Sequence, residues 1–265
     1  MPADKSLLHT KKLAMIERGI FTSLILAAIT VAVQSLLQAS PLVSIAYATD
    51  SHSVAHNMAT KGAAEMQNRK YRAALPYLKQ AVALDPKNAN VQFLLGETYF
   101  ALDQKVESIK TFNEAFRLDP ACNLERPFKE LGQALVVEDR APEAIAVFTR
   151  GLTNIPANGE LLCERGCTYT LLDQFQKGVS DLTEAIKAKP TYGHYYQQRA
   201  MIYHSMHQYE NAIKDYTQLI KLDPQSSKAY ASRANVYKAM GKLDLAAKDR
   251  AKSATLGVVD QAFSK

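Results

Sequence analysis

The sequence predicts an all-α solenoid of about six two-helix units, and three observations carry that prediction. Small residues recur in register: Gly62, Gly96, Gly132, Gly166, Ala200 and Ala234 stand 34, 36, 34, 34 and 34 residues apart. Twelve residues beyond each lies a second small residue, at Ala74, Ser108, Ala144, Gly178, Ala212 and Ala246. A proline closes each of the first five units, at Pro86, Pro120, Pro156, Pro190 and Pro224, three times in the form Leu-Asp-Pro. Self-similarity at a fixed period of this size means that each unit buries its apolar face against its neighbours rather than alone.

Within a unit, apolar residues recur at three- and four-residue steps, as in VQFLLGETYFAL and AIKDYTQLIKL, which predicts two amphipathic helices. The small residues let the two backbones approach. Bulk beside them comes from Leu78, Phe112, Phe148, Leu182 and Tyr216. The closing proline lacks a donor and clashes inside a helix, so it ends one unit and starts the turn to the next. The predicted units are 55–88, 89–122, 125–158, 159–192, 193–226 and 227–260, with a short tail at 261–265. Pro76 falls inside a second helix and predicts a kink or a late start there. Two extra residues near Ala121–Leu124 lengthen one connection. In the last unit Arg250 and Ser253 occupy positions where a following unit would dock, which suits the polar cap a solenoid needs at its end.

Ahead of the repeats lies a segment of different character. Lys5, Lys11, Lys12 and Arg18 precede the uncharged run Ile20–Leu37. At about 1.5 Å per residue that run makes about 27 Å of helix, close to the thickness of a bilayer core. Ala46-Tyr47-Ala48 has the small-x-small form of a signal-peptidase site. Two readings of residues 1–48 stay open: a signal peptide cut after Ala48, leaving 49–54 as a linker, or an uncleaved anchor touching the membrane through residues 20–37. Both place residues 49–265 beyond the membrane, on the periplasmic or cell-envelope side, because no Lys or Arg follows Arg18 until Lys61.

Charge and motifs exclude several functions. The net charge is +6, and the excess beyond residue 48 is +4, spread without a Lys/Arg block. A dedicated nucleic-acid surface is therefore not expected. There is no glycine-rich phosphate loop, no His-Glu-x-x-His pair and no nucleophile elbow. The repeats take up nearly all of the chain beyond the leader. A non-enzyme without a cofactor is the expectation.

The combined pattern resembles the tetratricopeptide repeat (TPR) family: a 34-residue helix–turn–helix with a small residue in the first helix, alanine and then an aromatic in the second, and a closing proline. The resemblance covers about residues 55–258. It implies a right-handed superhelix whose concave groove is lined by the first helices and binds a protein or peptide. It also implies which positions face the groove: three before, one after and four after the first small residue. The expected groove residues are Phe93, Glu97, Phe100, Lys129, Gln133, Thr170, Gln197, Met201, His204, Asn235 and Lys238, with Phe93 and Phe100 as an apolar anchor. Some members of the family grip a C-terminal carboxylate with Lys, Asn and Arg. Here Glu164, His194 and Gln198 stand where those residues would be wanted, so that activity is not implied.

The units fall into two classes. In the last three, Arg165, Arg199 and Arg233 precede the small residue, and Asp181, Asp215 and Asp249 follow sixteen positions later. The first three carry neither partner: Lys61 goes with Tyr77, Leu95 with Thr111 and Leu131 with Val147. Arginine and aspartate that appear and vanish together predict structural ion pairs between helices.

There are three cysteines. Cys163 and Cys167, one turn apart, are expected as thiols or a redox-labile pair, because a disulfide within one turn would be strained. With Met201 and His204 from the next unit they suggest a second reading, a soft-metal or thiol-redox protein. A third reading is a self-assembling envelope protein, a homo-oligomer in which Cys122 bridges chains.

Overall fold

The computed structural model describes residues 41–262. The described residues form twelve α-helices and no strand. In chain order they are α1 (Pro41–Gln67), α2 (Tyr71–Leu84), α3 (Ala89–Ala101), α4 (Lys105–Leu118), α5 (Glu125–Val137), α6 (Ala141–Asn154), α7 (Gly159–Thr170), α8 (Phe175–Ala188), α9 (Gly193–Ser205), α10 (Tyr209–Leu222), α11 (Ser227–Ala239) and α12 (Leu243–Ala262). Consecutive pairs make six helix–turn–helix units. The apolar run 20–37 lies outside the described residues. Residues 49–54, expected as a linker, continue α1 without a break. Among the described residues no helix is long and apolar enough to cross a membrane.

One turn is built six times. Arg69, Asp103, Asp139, Asp173, His207 and Gly241 all have positive φ, between 56° and 73°, and each sits between the two helices of its unit. Each ends the first helix with the same two bonds. In the second unit the Asp103 amide donates to Phe100 O at 3.0 Å and the Gln104 amide to Tyr99 O at 2.9 Å. This closure satisfies the last carbonyls and needs one left-handed residue, which glycine supplies most easily. Only the sixth unit uses glycine.

Units start on side-chain caps where the sequence offers them. Asn88, Asn158 and Ser226 accept from the amides of Val91, Leu161 and Ala229 at 3.3, 2.9 and 3.4 Å. Unit-to-unit connections run four residues, except 119–124, which runs six and accounts for the single spacing of 36. The late start expected at Pro76 does not occur: α2 begins five residues earlier, at Tyr71. At the far end, Ser227 Oγ donates to Ser253 O at 3.0 Å and Leu256 is buried, so α12 seals back onto α11 while Arg250 stays exposed.

The helices are not equivalent. First helices touch the first helices of the next unit (α1 with α3, α3 with α5, α5 with α7, α7 with α9), and no comparable contact joins successive second helices. The first helices are therefore drawn together on the inner side of the curve. Close approach within a unit depends on the small residues. A Cβ on Gly132 would fall 2.2 Å from the Phe148 ring, which is itself fully buried.

Candidate functional site: the groove of the first helices

The groove floor is a row of three cavities. The first, about 530 Å³, lies across units two to four and is lined by Phe100, Lys105, Gln133, Val136, Val137, Glu164, Cys167, Thr168, Thr170 and Leu171. The second, about 140 Å³, continues toward unit five through Cys167, Thr170, Phe175, Gln198, Met201, Ile202 and Ser205. The third, about 190 Å³, lies toward the N-terminus among Ala63, Met66, Gln67, Tyr71, Leu94, Glu97 and Arg126. Val137, Leu171 and Met201 are 65%, 60% and 49% exposed, so apolar side chains meet water where the cavities open.

Of the residues expected in the groove, Phe100, Gln133 and Thr170 line the first cavity, Glu97 the third and Met201 the second. Phe93 does not belong with them. It is 4% exposed, and its ring meets Phe116 edge-on at 5.0 Å, while Phe116 stacks on Phe128 at 4.5 Å. Phe93 packs within unit two against Phe116, which reaches on to Phe128 of unit three, and has no face left for a partner. Lys129 is half-buried, 3.7 Å from the Glu160 carboxylate. Gln197 is half-buried on α9, and His204 packs its ring 5.7 Å from that of Tyr209. Asn235 and Lys238 are exposed on α11.

The floor carries carboxylates in sequence along α3, α5 and α7. Arg126 donates through Nε to Glu130 Oε1 at 2.7 Å and lies 3.3 Å from Glu97 Oε2. Glu130 Oε2 is buried without a hydrogen-bond partner. Burial first, and the neighbouring Glu130 second, push the Glu97 carboxyl up to about 7. Burial also raises Glu130 and Glu164 above the usual carboxylate range. Gln133 Nε2 donates to Glu164 Oε1 at 2.6 Å. Lys105 is already committed: its Nζ lies 3.0 Å from Asp103, donates to Phe100 O at 3.2 Å and sits 3.9 Å over the Phe100 ring.

All three cysteines are free thiols. A hydrogen bond from Cys163 to Cys167 holds the Cys163 thiol protonated, with burial adding to the effect, and the same bond shifts Cys167 downward. Cys167 in turn reaches Gln198 Oε1 at 3.6 Å. The soft-metal set is not assembled: among the described residues no three His, Cys, Asp or Glu side chains converge, so His204 does not join the two cysteines. Cys122 is 3% exposed inside the phenylalanine-rich core, where it cannot meet a second chain.

The arginines form a ladder. Arg165, Arg199 and Arg233 each donate through two nitrogens to Asp181, Asp215 and Asp249, all six bonds between 2.7 and 2.9 Å. Their remaining nitrogen reaches back to the second helix of the preceding unit, at Thr149, Thr183 and Thr217, over 3.1, 2.9 and 3.0 Å. Tyrosine rings flank each guanidinium at 5.8 to 6.0 Å. Each arginine thus ties three helices together. The threonines were readable, since one stands sixteen residues before each arginine. Val137 and Leu171, five residues after the small position, lie off the register used to trace the groove.

With the fold and groove in view, comparison with known proteins gives a consistent result. Family models described as tetratricopeptide repeat match residues 65–124 and 159–192, and one described as TPR repeat matches 200–241. The chain is a tetratricopeptide-repeat protein. Among solved structures it is similar to PilW, a type IV pilus biogenesis factor, at 19% identity and TM-score 0.65, covering 75% of this chain and 91% of that one. It is similar to PilF of Pseudomonas aeruginosa at 14% identity and TM-score 0.62, covering 81% and 93%. It is also similar to YrrB, described as a TPR protein with an unusual peptide-binding site, at 16% identity and TM-score 0.56, covering 68% and 91%. At these identities the likeness is one of fold. No curated protein sequence matches the chain.

Proposed function

We propose that this chain is an exported or membrane-anchored TPR scaffold that binds a protein or peptide partner in the groove of its first helices. The observation that carries the reading is the 530 Å³ cavity bordered by the exposed apolar side chains of Val137 and Leu171. Apolar surface held open on a rigid concave face gains free energy when a partner side chain covers it. The peptide-binding description of YrrB and the pilus-biogenesis description of PilW are in keeping with a scaffold. Export rests on the sequence alone, on Lys11, Lys12 and Arg18 ahead of the uncharged run 20–37. The arginine ladder belongs to the framework, since every guanidinium nitrogen described above is spent on a neighbouring helix.

The test is affinity purification of the full-length protein from its own cells, followed by mass spectrometry. A Val137→Asp/Leu171→Asp variant is run beside a Leu243→Asp/Leu245→Asp control, which changes exposed apolar residues of α12 away from the groove. The groove variant should recover the main partner at least tenfold less well, roughly 1.4 kcal/mol or more of binding energy, while the control recovers it fully. A partner retained by the groove variant and lost by the control would move binding to the end of the solenoid. In the same data, an N-terminal peptide starting at Thr49 marks cleavage. An intact 20–37 segment in the membrane fraction marks an anchor.

A further inference from the structure

Along the groove floor the charges do not balance, although the first cavity itself is lined by one charge of each sign, Lys105 and Glu164. The chain carries a net +6, yet Glu97, Glu130, Glu160 and Glu164 line up along α3, α5 and α7. Two cations serve these four carboxylates. Arg126 is divided between Glu97 and Glu130, and Lys129 lies 3.7 Å from Glu160 while acting on Glu130 and Glu164 from further off. Lys105 acts on Glu130 only weakly through space, and Asp103 holds it at 3.0 Å. Glu130 Oε2 lacks any partner, and Glu164 receives one neutral donor, from Gln133. Glu164 lines the same cavity as Val136, Val137 and Leu171, so a carboxylate and an apolar wall are presented together.

Resting on the groove reading above, we infer that the occupant of this cavity is a peptide segment pairing an apolar side chain with a Lys or Arg about one helical turn away. The apolar side chain fills the space between Phe100 and Leu171, and the cation meets Glu164. Charge complementarity selects this partner. A cation arriving here supplies the counter-charge that the floor lacks, whereas an acidic segment would place like charges together in a poorly solvated site. The apolar contact supplies affinity and the cation supplies selectivity.

A random-peptide display library panned on the full-length protein, and on Glu164→Gln and Leu171→Asp variants, tests this. Peptides enriched on the wild type should carry a Lys or Arg within four positions of a large apolar residue. Their synthetic versions with Gln in place of the basic residue should bind at least fivefold more weakly to the wild type and show little difference on Glu164→Gln. Enriched peptides that need Leu171 but show no basic preference would overturn this inference and leave the groove reading standing. Enriched peptides indifferent to Leu171→Asp, or no enrichment at all, would overturn both.

Discussion

Units two and three and units four to six solve one packing problem in different ways. Before the small residue of the first helix, and sixteen positions later in the second, units two and three place Leu95 with Thr111 and Leu131 with Val147. Leu131 is 1% exposed in a cluster with Phe93, Phe112, Phe116, Phe128 and Phe148. Units four to six place Arg and Asp there, bidentate at 2.7 to 2.9 Å and tied to a threonine of the unit before. Apolar burial is non-directional and tolerates small shifts in register. A bidentate ion pair fixes the angle between helices, but it is costly to break on one side because the remaining charge stays buried. The first cavity spans the junction of the two regions, with Phe100 and Gln133 from one and Glu164 and Leu171 from the other. The two packing styles are framework, and the cavity proposed to take a partner lies where they meet.

The sharpest way to break this contrast is to remove half of a pair. Arg199→Ala leaves Asp215, 5% exposed, without its partner, and should cost about 2–4 kcal/mol in urea or thermal unfolding. An unchanged melting curve would show that the pair is ornamental. A smaller effect lies on the apolar side, at Glu97. Its carboxyl stands at about 7 in the folded chain against an ordinary 4.5, so the folded state holds an extra proton between those values. This favours folding below about pH 4.5 and is lost as the pH rises through 7. Relative to Glu97→Gln, the wild type should therefore lose about 1–3 kcal/mol of stability between pH 4.5 and 8, read by urea denaturation across that range. Parallel pH profiles for the two proteins would remove the assignment. The smallest effect should come from the turns that both regions share. His207 holds φ at 57°, and His207→Gly should raise stability by about 0.5–1 kcal/mol by relieving the left-handed strain. A lower melting temperature would instead mean that the contact between His207 and the Tyr209 hydroxyl, at 2.8 Å, outweighs the strain.

Much of this framework was legible in the sequence. The period and the long connection at 119–124 follow from small residues and prolines, because backbone approach and helix ends have few chemical solutions. The arginine–aspartate coincidence was equally readable, since two residue types that vary together at a fixed spacing of sixteen point to a contact. Side-chain fate was harder to read. Phe93 occupies a groove register position, yet its size lets it reach Phe116 and leave the groove floor. Cys122 looked exposed in a lengthened connection, but that loop folds it into the core. The soft-metal reading took Met201 and His204 to share a face with the cysteines, whereas His204 turns toward Tyr209. Val137 and Leu171 went unnoticed because an apolar residue at the end of a helix reads as core, and only curvature shows that nothing covers it. The repeated left-handed turn left almost no trace, with glycine at one of six positions.

The most direct measurement transplants the unit-three solution into unit five. An Arg199→Leu/Asp215→Val variant copies Leu131 and Val147, and both its stability and its recovery of the partner are compared with the wild type. Replacing both members of a buried pair by apolar residues should restore most of what Arg199→Ala loses, to within about 1–2 kcal/mol of the wild type, with partner recovery unchanged. A folded double variant that no longer recovers the partner would contradict the account, because it would make the arginine ladder part of the binding surface rather than its support.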